Sequence, residues 1–421
     1  MNRVIVPNPL KGRRIILGVC GGIAAYKASD LIRILVKSGC HVRVIMTRSA
    51  QAFVGPLTFE ALSGHRVWTH MFGRREGTPF RHIAWADEAD AVVIAPATAN
   101  TIGKMAHGIA DDPLTTFVLA VRSPILVCPS MNVHMYENRV VRGNIKGLEQ
   151  AGIKVLRPEV GSLACGDEGR GRLPDVETIA EELCILLCQQ DLAGERVLVT
   201  AGPTQEPIDP VRFIGNPSSG KMGHAVARVA RRRGAQVLLI SGPTALPDPQ
   251  GVRVIRVGTA QEMFDAVMGH VEESTIIVKA AAVSDWRPAS LFEHKVKKEE
   301  MARHLRLEPT ADILKALGEN KKDQVLVGFA AETQSLRENA CAKLAAKNLD
   351  LIVANLVGET DSGFGSDTNQ VSVFYRDGRT EVLPLMHKEG VAEVLFDRVL
   401  AIKKMVTSVA SGNFAQKDES P

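Results

Sequence analysis

The sequence has no uninterrupted apolar stretch of about 18 residues, the length that a helix needs to cross a bilayer. Near its first residue it shows neither a long apolar segment nor a cleavage signature, so we expect no signal peptide. The net charge is only +4, from 51 basic and 47 acidic residues. Such a small excess gives no reason to expect a nucleic acid or a membrane as a partner.

Cysteine is also sparse. The seven cysteines are scattered and odd in number, which argues against a disulfide framework and suits a reducing cytoplasm. Cys184 and Cys188 fall in an apolar helix pattern, and no further Cys/His cluster completes a metal site, so we interpret both as core residues. We therefore expect a cytoplasmic protein.

The length of 421 residues favours two or three domains. In the first half, apolar strands alternate with helix patterns, the clearest helix running from Ile23 to Lys37. Such alternation predicts a parallel sheet that is covered on both faces. The strands are predicted at Arg14–Val19, Val42–Met46, Ala91–Ala95, Ile125–Cys128 and Ile153–Leu156.

The second half restarts the pattern after a helix predicted at Glu181–Gln190. A terminal hairpin is expected at Val371–Tyr375 and Arg379–Leu383, around Asp377-Gly378. The parallel strands are predicted at Val197–Thr200, Val237–Ser241, Val252–Val257, Thr275–Lys279, Val325–Ala330 and Leu351–Asn355. We place the domains at residues 1–190 and 191–407, followed by a polar tail, 408–421, that we expect to be disordered.

Residues 200–223 are the most informative stretch of the chain. They join a short strand to a helix pattern, His224–Arg233, through a loop that contains four prolines and several hydroxyl residues. Backbone N–H groups at such a helix start can bind phosphate. The glycines lack the dinucleotide spacing, and the Walker lysine pattern is absent. The loop therefore predicts a phosphate site of another type.

The first half carries several polar or glycine-rich segments that follow its strands. In doubly wound sheets, ligands bind beyond the carboxyl ends of the strands, where these segments lie. The segments are Gly21–Lys27, Met46–Ser49, Ala95–Thr101, Cys128–Met135 and the glycine-rich stretch Gly161–Asp175, which suits a flexible lid. Cys165 in this lid could donate a proton to a developing carbanion, and His82 is the other titratable candidate.

Together these segments resemble the flavin-dependent cysteine decarboxylases. The resemblance rests on Gly-Gly-Ile-Ala-Ala-Tyr-Lys, His82-Ile, Ala-Pro-Ala-Thr-Ala-Asn-Thr, Pro-Ser-Met-Asn and Ala-Cys-Gly-Asp. Joined to residues 200–223, the chain resembles the bacterial bifunctional phosphopantothenoylcysteine decarboxylase/phosphopantothenate–cysteine ligases of coenzyme A synthesis. The resemblance covers nearly the whole chain. It implies an α/β protein of two Rossmann-like domains, a flavodoxin-like flavoprotein domain followed by a doubly wound nucleotide-binding ligase domain.

For the first half, the resemblance implies FMN as the cofactor and the decarboxylation of 4'-phosphopantothenoylcysteine to 4'-phosphopantetheine. It implies His82 as the base, Asn132 as the group that holds the substrate carboxylate, and Cys165 as the proton donor. FMN would lie against Gly22, Ile23, Ala24, Thr47, Thr98 and Asn100.

For the second half, it implies the condensation of 4'-phosphopantothenate with cysteine through an acyl-cytidylate formed from CTP, with Mg²⁺ or Mn²⁺. Asn216 and Lys295 match the catalytic residues, and Asp285 could help to hold the cation. The nucleotide contacts would be Lys279, Ala280, Ala281, Asp285, Lys295, Pro309, Thr310, Ala311, Asp312, Phe329, Lys343 and Lys347.

The resemblance also implies a homo-oligomer, with trimers of flavin domains and dimers of ligase domains in a closed assembly as large as a dodecamer. Three residues depart from the usual pattern. Ser130 and Ser284 stand where alanine is usual, and Trp85 stands where leucine is usual. Ser130 and Trp85 could alter the flavin-side pocket, and we expect Ser284 to have no effect on function.

Several alternatives compete with this interpretation. One is a flavin-binding regulatory or interaction protein with decayed sites, which the intact candidate residues disfavour. Others are a flavin decarboxylase of peptidyl cysteine and a flavin prenyltransferase, both of which the ligase-like half disfavours. A nicotinamide-dependent dehydrogenase is disfavoured because the first βα turn of the second half lacks Gly-x-Gly-x-x-Gly.

Overall fold

The computed structural model describes residues 8–72, 80–162, 168–297, 304–356 and 365–412, with only the backbone at residues 162 and 406–412. The chain forms two compact units, which divide between Cys188 and Gln189. Within the described residues, no helix is both long and apolar enough to cross a membrane. The two units are described separately below.

The first unit contains a five-stranded parallel sheet and a separate two-stranded antiparallel ribbon. The strands are β1 (Arg14–Val19), β2 (His41–Met46), β3 (Ala91–Ala97), β4 (Ile125–Pro129), β5 (Lys154–Val155), β6 (Glu159–Ser162) and β7 (Glu168–Arg172). The sheet order is β2-β1-β3-β4-β5, and β6 pairs with β7. This order reverses direction between β1 and β3, the place where doubly wound sheets bind ligands.

Helices cover both faces of this sheet. They are α1 (Lys27–Lys37), α2 (Pro56–Ser63), α3 (Arg81–Glu88), α4 (Ala99–Ala106), α5 (Pro113–Ala120), α6 (Val133–Glu137), α7 (Arg139–Gln150) and α8 (Val176–Leu187). Alternate residues of β1 enter opposite cores: Ile15 and Leu17 pack with α1 and α8, whereas Ile16 packs with α5 and α7. Burial of both faces explains the nearly continuous apolar strands.

The second unit is built on an eight-stranded sheet and contains three separate two-stranded antiparallel ribbons. Its strands are β8 (Arg196–Ala201), β9 (Gln205–Pro207), β10 (Phe213–Gly215), β11 (Gln236–Ser241), β12 (Arg253–Arg256), β13 (Ile276–Lys279), β14 (Trp286–Pro288), β15 (Leu307–Pro309), β16 (Val325–Glu332), β17 (Leu351–Leu356), β18 (Thr368–Asn369), β19 (Ser372–Tyr375), β20 (Thr380–Val382) and β21 (Met386–His387). The order is β12-β11-β8-β13-β16-β17-β19-β20. The first six strands are parallel, and β19 and β20 are antiparallel additions.

Its helices are α9 (Lys221–Arg232), α10 (Ala260–Met268), α11 (Ile313–Glu319), α12 (Leu336–Ala346) and α13 (Lys388–Gly412). Val197 and Val199 of β8 pack with α9 and α13, while Leu198 packs with α10, α11 and α12. The sheet is therefore covered on both faces as well.

The predicted fold class and parallel strands are confirmed, and so is the hairpin, in which Gly378 adopts the left-handed φ of 88°. Three helix predictions need correction. The helix predicted at His224–Arg233 is α9, which begins three residues earlier, at Lys221. The helix predicted at Ile23–Lys37 starts as a 3₁₀ turn, Ile23–Tyr26. The helix predicted at Glu181–Gln190 is α8, which begins after Asp175 and ends at Leu187. Of the predicted tail, 408–412 are helical in α13, and 413–421 lie outside the described residues.

Candidate functional site

The first unit has a cavity of about 570 Å³ at the carboxyl ends of β1, β3 and β4. Its lining comprises Gly21, Gly22, Ile23, Ala24, Tyr26, Lys27, Thr98, Ala99, Ser130, Met131, Asn132, Met135, Gly171, Arg172 and Leu173. The lining is largely apolar, with backbone amides at the start of the 3₁₀ turn and two basic side chains at the edge. A small number of polar groups in an apolar cavity is typical of a cofactor site.

Strand β7 closes one side of this cavity through a backbone contact. The Met131 N–H donates to the Gly171 carbonyl at 3.0 Å. A Cβ atom at Gly171 would lie 2.1 Å from the Met131 oxygen, so a larger residue would push the two segments apart. The side chain of Asn132 is oriented by the backbone two residues further on, because its Oδ1 accepts the His134 N–H at 2.8 Å.

The structure brings together five of the residues predicted for the flavin side. Gly22, Ile23, Ala24, Thr98 and Asn132 all line the cavity.

Three other predicted flavin-side residues, Thr47, Asn100 and His82, are not among the lining residues. Thr47 is buried directly after β2, where its hydroxyl caps a 3₁₀ turn by accepting the Ala50 N–H. Asn100 is exposed on α4, and His82 is half-buried on α3. Cys165 lies outside the described residues.

Sequence analysis missed the basic side chains Lys27 and Arg172 of this cavity. Lys27 Nζ lies 3.7 Å from Asp175 Oδ1, and Arg172 Nη2 lies 3.6 Å from the same oxygen. Both lie in segments that were selected for their glycines, Gly21–Lys27 and Gly161–Asp175. The positive charge within each segment was the sequence feature that could have identified them.

The second unit has a cavity of about 430 Å³ beside the start of α9. Its lining comprises Asn216, Pro217, Ser218, Ser219, Gly220, Lys221, Met222, Gly223, Lys279, Ala280, Ala281, Ala282, Val283, Phe329, Ala330, Ala331, Lys343, Asn355, Asn369 and Lys388. The loop that the sequence marked as a phosphate site therefore forms one wall of a cavity. Four lysines line the same space, which makes the cavity suited to anions.

Two glycines hold this loop and α9 close to the sheet. Gly220 precedes α9 with φ of 74°, a left-handed conformation that glycine adopts without strain. At Gly223, a Cβ atom would lie 2.5 Å from the Cβ of Ala201 and 2.8 Å from the Thr200 oxygen. Asn216 is fastened separately, since its Nδ2 donates to the Val283 carbonyl at 2.9 Å.

Lys279 is the ionisable group whose environment in this cavity is most unusual. Burial lowers the pKa of its ammonium to about 8, and the positive charges of Lys347 and Lys343 act in the same direction. Asp285 and Asp312 oppose the shift. Lys279 Nζ donates to the Ala281 carbonyl at 3.1 Å. A charge held among like charges is stabilised when an anion enters.

A second group of predicted nucleotide residues lies next to this lysine without lining the cavity. Lys347 pairs with Asp312 at 3.0 Å, and the Thr310 N–H donates to the Asp285 carbonyl at 3.0 Å. Asp285 is exposed, as is Lys295. Thus the cavity unites Asn216, Lys279, Ala280, Ala281, Phe329 and Lys343, and it leaves Lys295, Asp285, Lys347 and 309–312 outside its lining.

Sequence analysis did not identify Lys221, Asn355, Asn369 and Lys388 as cavity residues. Lys221 Nζ bonds Asp367 Oδ1 at 2.7 Å, and Lys388 Nζ bonds the Ser366 carbonyl. Asn355 ends a stretch that carried the resemblance, and Lys221 belongs to the marked loop. Lys388, at the start of the last helix, had no local signal.

Comparison with known proteins assigns both halves. Residues 4–187 match the family model described as Flavoprotein, and residues 192–402 match the one described as DNA/pantothenate metabolism flavoprotein C-terminal domain. The Coenzyme A biosynthesis bifunctional protein CoaBC of Bacillus subtilis (strain 168) is 49% identical over 399 residues, covering 94% of this chain and 98% of that protein. The chain belongs to the CoaBC family.

A relative from a second organism agrees with this assignment. The CoaBC protein of Escherichia coli (strain K12) is 42% identical over 396 residues, covering 93% of this chain and 97% of that protein. A crystal structure of the C-terminal domain of a CoaBC protein is 44% identical, with a TM-score of 0.45, covering 52% of this chain and 100% of that chain. The resemblance to this family inferred from the sequence is confirmed.

A flavoprotein half implies a flavin, and the first cavity fits one. The space beside Gly22 is open, because a Cβ atom there would meet only Thr98 Cγ2, at 4.0 Å. The apolar part of the lining suits a flat ring, and Lys27 and Arg172 suit a phosphate. The residues that line the first cavity therefore fit a flavin.

Proposed function

We propose that the chain makes 4'-phosphopantetheine in two steps. The second unit condenses 4'-phosphopantothenate with cysteine at the expense of CTP, and the first unit decarboxylates the product with FMN. The observation that supports this most directly is the pairing, in one chain of the CoaBC family, of an apolar flavin-sized cavity with a separate lysine-lined cavity. The two halves divide near residue 190.

In the ligase half, the chemical problem is to bring a carboxylate to a triphosphate. Lys279 and Lys343 supply positive charge in the cavity, and the loop at the start of α9 supplies backbone N–H groups. We assign Asn216 to the acyl-cytidylate and Lys295 to the charge that develops on the departing pyrophosphate. Cysteine's amine then attacks the activated acyl group, and CMP leaves.

A divalent cation fits this site as part of the nucleotide complex. The described residues contain no group of three or more His, Cys, Asp and Glu side chains that could hold a metal ion. Mg²⁺ bound through substrate phosphates needs only one or two protein carboxylates. We assign Asp285 to Mg²⁺ or Mn²⁺, whose charge would offset that of the triphosphate.

In the decarboxylase half, FMN would supply a reversible oxidation that lets the carbanion left by CO₂ loss be stabilised. We assign Asn132, whose Oδ1 accepts the His134 N–H, to holding the substrate carboxylate. We assign His82 to proton abstraction and Cys165 to protonation of the product, as their chemistry allows. Lys27 and Arg172 bind phosphate at the rim of the cavity.

Two readouts test both activities on the intact protein. The purified chain is expected to be yellow from FMN. Addition of CTP with phosphopantothenate alone, or with cysteine alone, should release no CO₂. Addition of all three should release pyrophosphate and then CO₂. A yellow protein that cleaves no CTP with both acceptors present would remove the ligase assignment. A colourless protein that binds no added FMN would remove the decarboxylase assignment.

The nucleotide and the assembly need separate measurements. A comparison of CTP with ATP under the same conditions tests the pyrimidine selectivity. We propose a cytoplasmic homo-oligomer with trimeric flavin domains and dimeric ligase domains, and sedimentation analysis of the full chain tests that proposal.

A further inference from the structure

Asp209, in the turn between β9 and β10, is a buried carboxylate with an unusually complete set of partners. It is 2% exposed. Its Oδ1 accepts the backbone N–H groups of Val211 and Arg212, both at 2.9 Å. Its Oδ2 accepts the Arg212 Nε–H at 2.9 Å. The Arg212 guanidinium and these N–H groups hold the pKa of Asp209 well below its usual range, so the carboxylate stays ionised.

The same ion pair binds the backbone of Val296 from both sides. The Val296 N–H donates to Asp209 Oδ2 at 3.4 Å, and Arg212 Nη2 donates to the Val296 carbonyl at 2.8 Å. A third bond fixes the start of the segment, because the Phe292 N–H donates to the Ile208 carbonyl at 3.1 Å. Residues 292–296 are therefore tied to the 208–212 turn at both ends.

This attachment matters because Lys295 directly precedes Val296. The Lys295 side chain is exposed, and the chain beyond residue 297 lies outside the described residues. In the part of this segment that the structure describes, the hydrogen bonds to Val296 hold the backbone immediately after Lys295. The ammonium of Lys295 sits at the end of a flexible four-carbon side chain. The position of the Lys295 backbone therefore determines which volume the ammonium can reach.

The turn is also rigidly linked to Asn216. Strand β10 pairs with β9 and ends at Gly215, immediately before Asn216. On the β9 side, the buried carboxylate of Glu206 accepts the Ala260 N–H at 2.8 Å, which fastens this ribbon to α10. The turn thus joins two segments that are about 80 residues apart in sequence, those that carry Asn216 and Lys295.

We infer that Asp209, through Arg212, is a positioning residue for ligation: it fixes the Lys295 segment relative to Asn216. This inference rests on the proposed function, in which Lys295 acts on the reacting phosphates. A catalytic group displaced by about 1 Å can lose about a hundredfold in rate. An ion pair whose carboxylate is buried and which also holds a backbone segment is a means of preventing that displacement.

A double-mutant cycle tests the inference on the full-length protein. Asp209→Asn keeps the size of the side chain and an acceptor for the turn N–H groups but removes its charge. We expect it to lower the kcat of pyrophosphate release at least about tenfold, with KM for CTP changed less than about twofold. In the Lys295→Gln background, the same substitution should lower kcat by less than about twofold, because the group that it positions is already gone.

Independent effects would overturn the inference. If Asp209→Asn costs the same factor with and without Lys295, or if it raises KM without lowering kcat, Asp209 does not act through Lys295. Lys295→Gln with full ligation activity would overturn it as well. Failure of the proposed function is separate, because the unsubstituted chain would then release no pyrophosphate from CTP in the presence of both acceptors.

The chain offers a matched control for this cycle. Asp377 also lies in a hairpin turn, where its carboxylate accepts the Arg379 N–H at 3.1 Å and pairs with Arg379 Nε at 2.7 Å. Because this turn is outside the cavity lining, Asp377→Asn should leave ligation unchanged. If Asp209→Asn does not fold, the same cycle is run with Arg212→Lys, whose ammonium lacks the planar, fixed donors with which Arg212 joins Asp209 to the Val296 carbonyl.

Discussion

Ser130, Ser284 and Trp85, which the sequence resemblance marks as departures, have definite places in the structure. Trp85 packs edge-to-face on Trp68, with ring centroids 5.5 Å apart, and so ties α3 to the β2 side of the sheet. Ser130 lies in the flavin-sized cavity. Ser284 is buried, and its hydroxyl donates to the Trp286 carbonyl at 2.8 Å. Trp85, which is larger than the usual leucine, and Ser284, which is more polar than the usual alanine, therefore each have a partner.

Lys279 gives a pH prediction at the level of a single residue. With its pKa lowered from 10.5 to about 8, the side chain is charged below that pH and neutral above it. The charged form attracts the triphosphate. We therefore expect KM for CTP to rise by about tenfold between about pH 7 and about pH 9, the loss of one charged hydrogen bond.

Two substitutions at the same position check that assignment. Lys279→Met removes the charge at every pH, so its KM for CTP should be high and nearly independent of pH. Lys279→Arg keeps the charge throughout, so the rise of KM with pH should disappear. A methionine variant that retains the pH dependence of the unsubstituted protein would show that another group titrates.

At the scale of elements, the contact between α9 and β8 sets the position of the phosphate-site loop. The helix approaches the strand at Gly223, where the space next to Ala201 admits no side chain. The loop 216–220 enters the helix directly, so its N–H groups move with α9. Close packing of a helix on a strand is thus a condition for the geometry of the cavity.

Gly223→Ala should destabilise the second unit by about 1–3 kcal/mol, because the Cβ atom would overlap the Thr200 and Ala201 backbone. Calorimetry of the full chain should show the unfolding of that unit at a Tm lower by about 2–10 °C. Gly143→Ala is the control: this glycine is within α7, and a Cβ atom there meets nothing within 4 Å. Equal shifts for the two variants would contradict the packing argument.

At the scale of the whole molecule, the chain contains two separately formed sites. Among the residues that the structure describes, each cavity is lined by one unit alone, and each lies at the carboxyl ends of that unit's parallel strands. The two proposed half-reactions would therefore draw on different side chains. Substitutions that leave both units folded are expected to affect one half-reaction at a time.

This separation predicts the behaviour of variants in each half. Cys165→Ser should block completion of decarboxylation and leave the release of pyrophosphate from CTP unchanged. Lys295→Gln and Asn216→Asp should impair ligation, yet leave CO₂ release from added 4'-phosphopantothenoylcysteine unchanged. Each variant is assayed for both activities with its FMN absorbance recorded. Parallel loss of the two activities in a variant that stays yellow and folded would argue against independent sites.

Much of this protein follows from the sequence because the relevant signals are local. Apolar strand periods, such as that of Arg14–Val19, predict buried parallel strands, and parallel strands determine which end of the sheet binds ligands. Gly22 and Asn132 belong to segments that were predicted beyond the carboxyl ends of strands, and Asn216 belongs to the predicted phosphate-site loop, whereas the roles of the single residues were implied by the family resemblance. The shifted bounds of α8 show the limit, because helix ends depend on caps and on packing as well as on period.

Other features were decided only by the tertiary structure, because they join residues that are distant in the chain. Asp209 and Arg212 hold Val296 across more than 80 positions, and Lys388 reaches the same cavity as Lys279 from the last helix. No local pattern encodes such a contact. A hydrogen bond requires two atoms within about 3 Å, and only the folded sheet brings these segments to that distance.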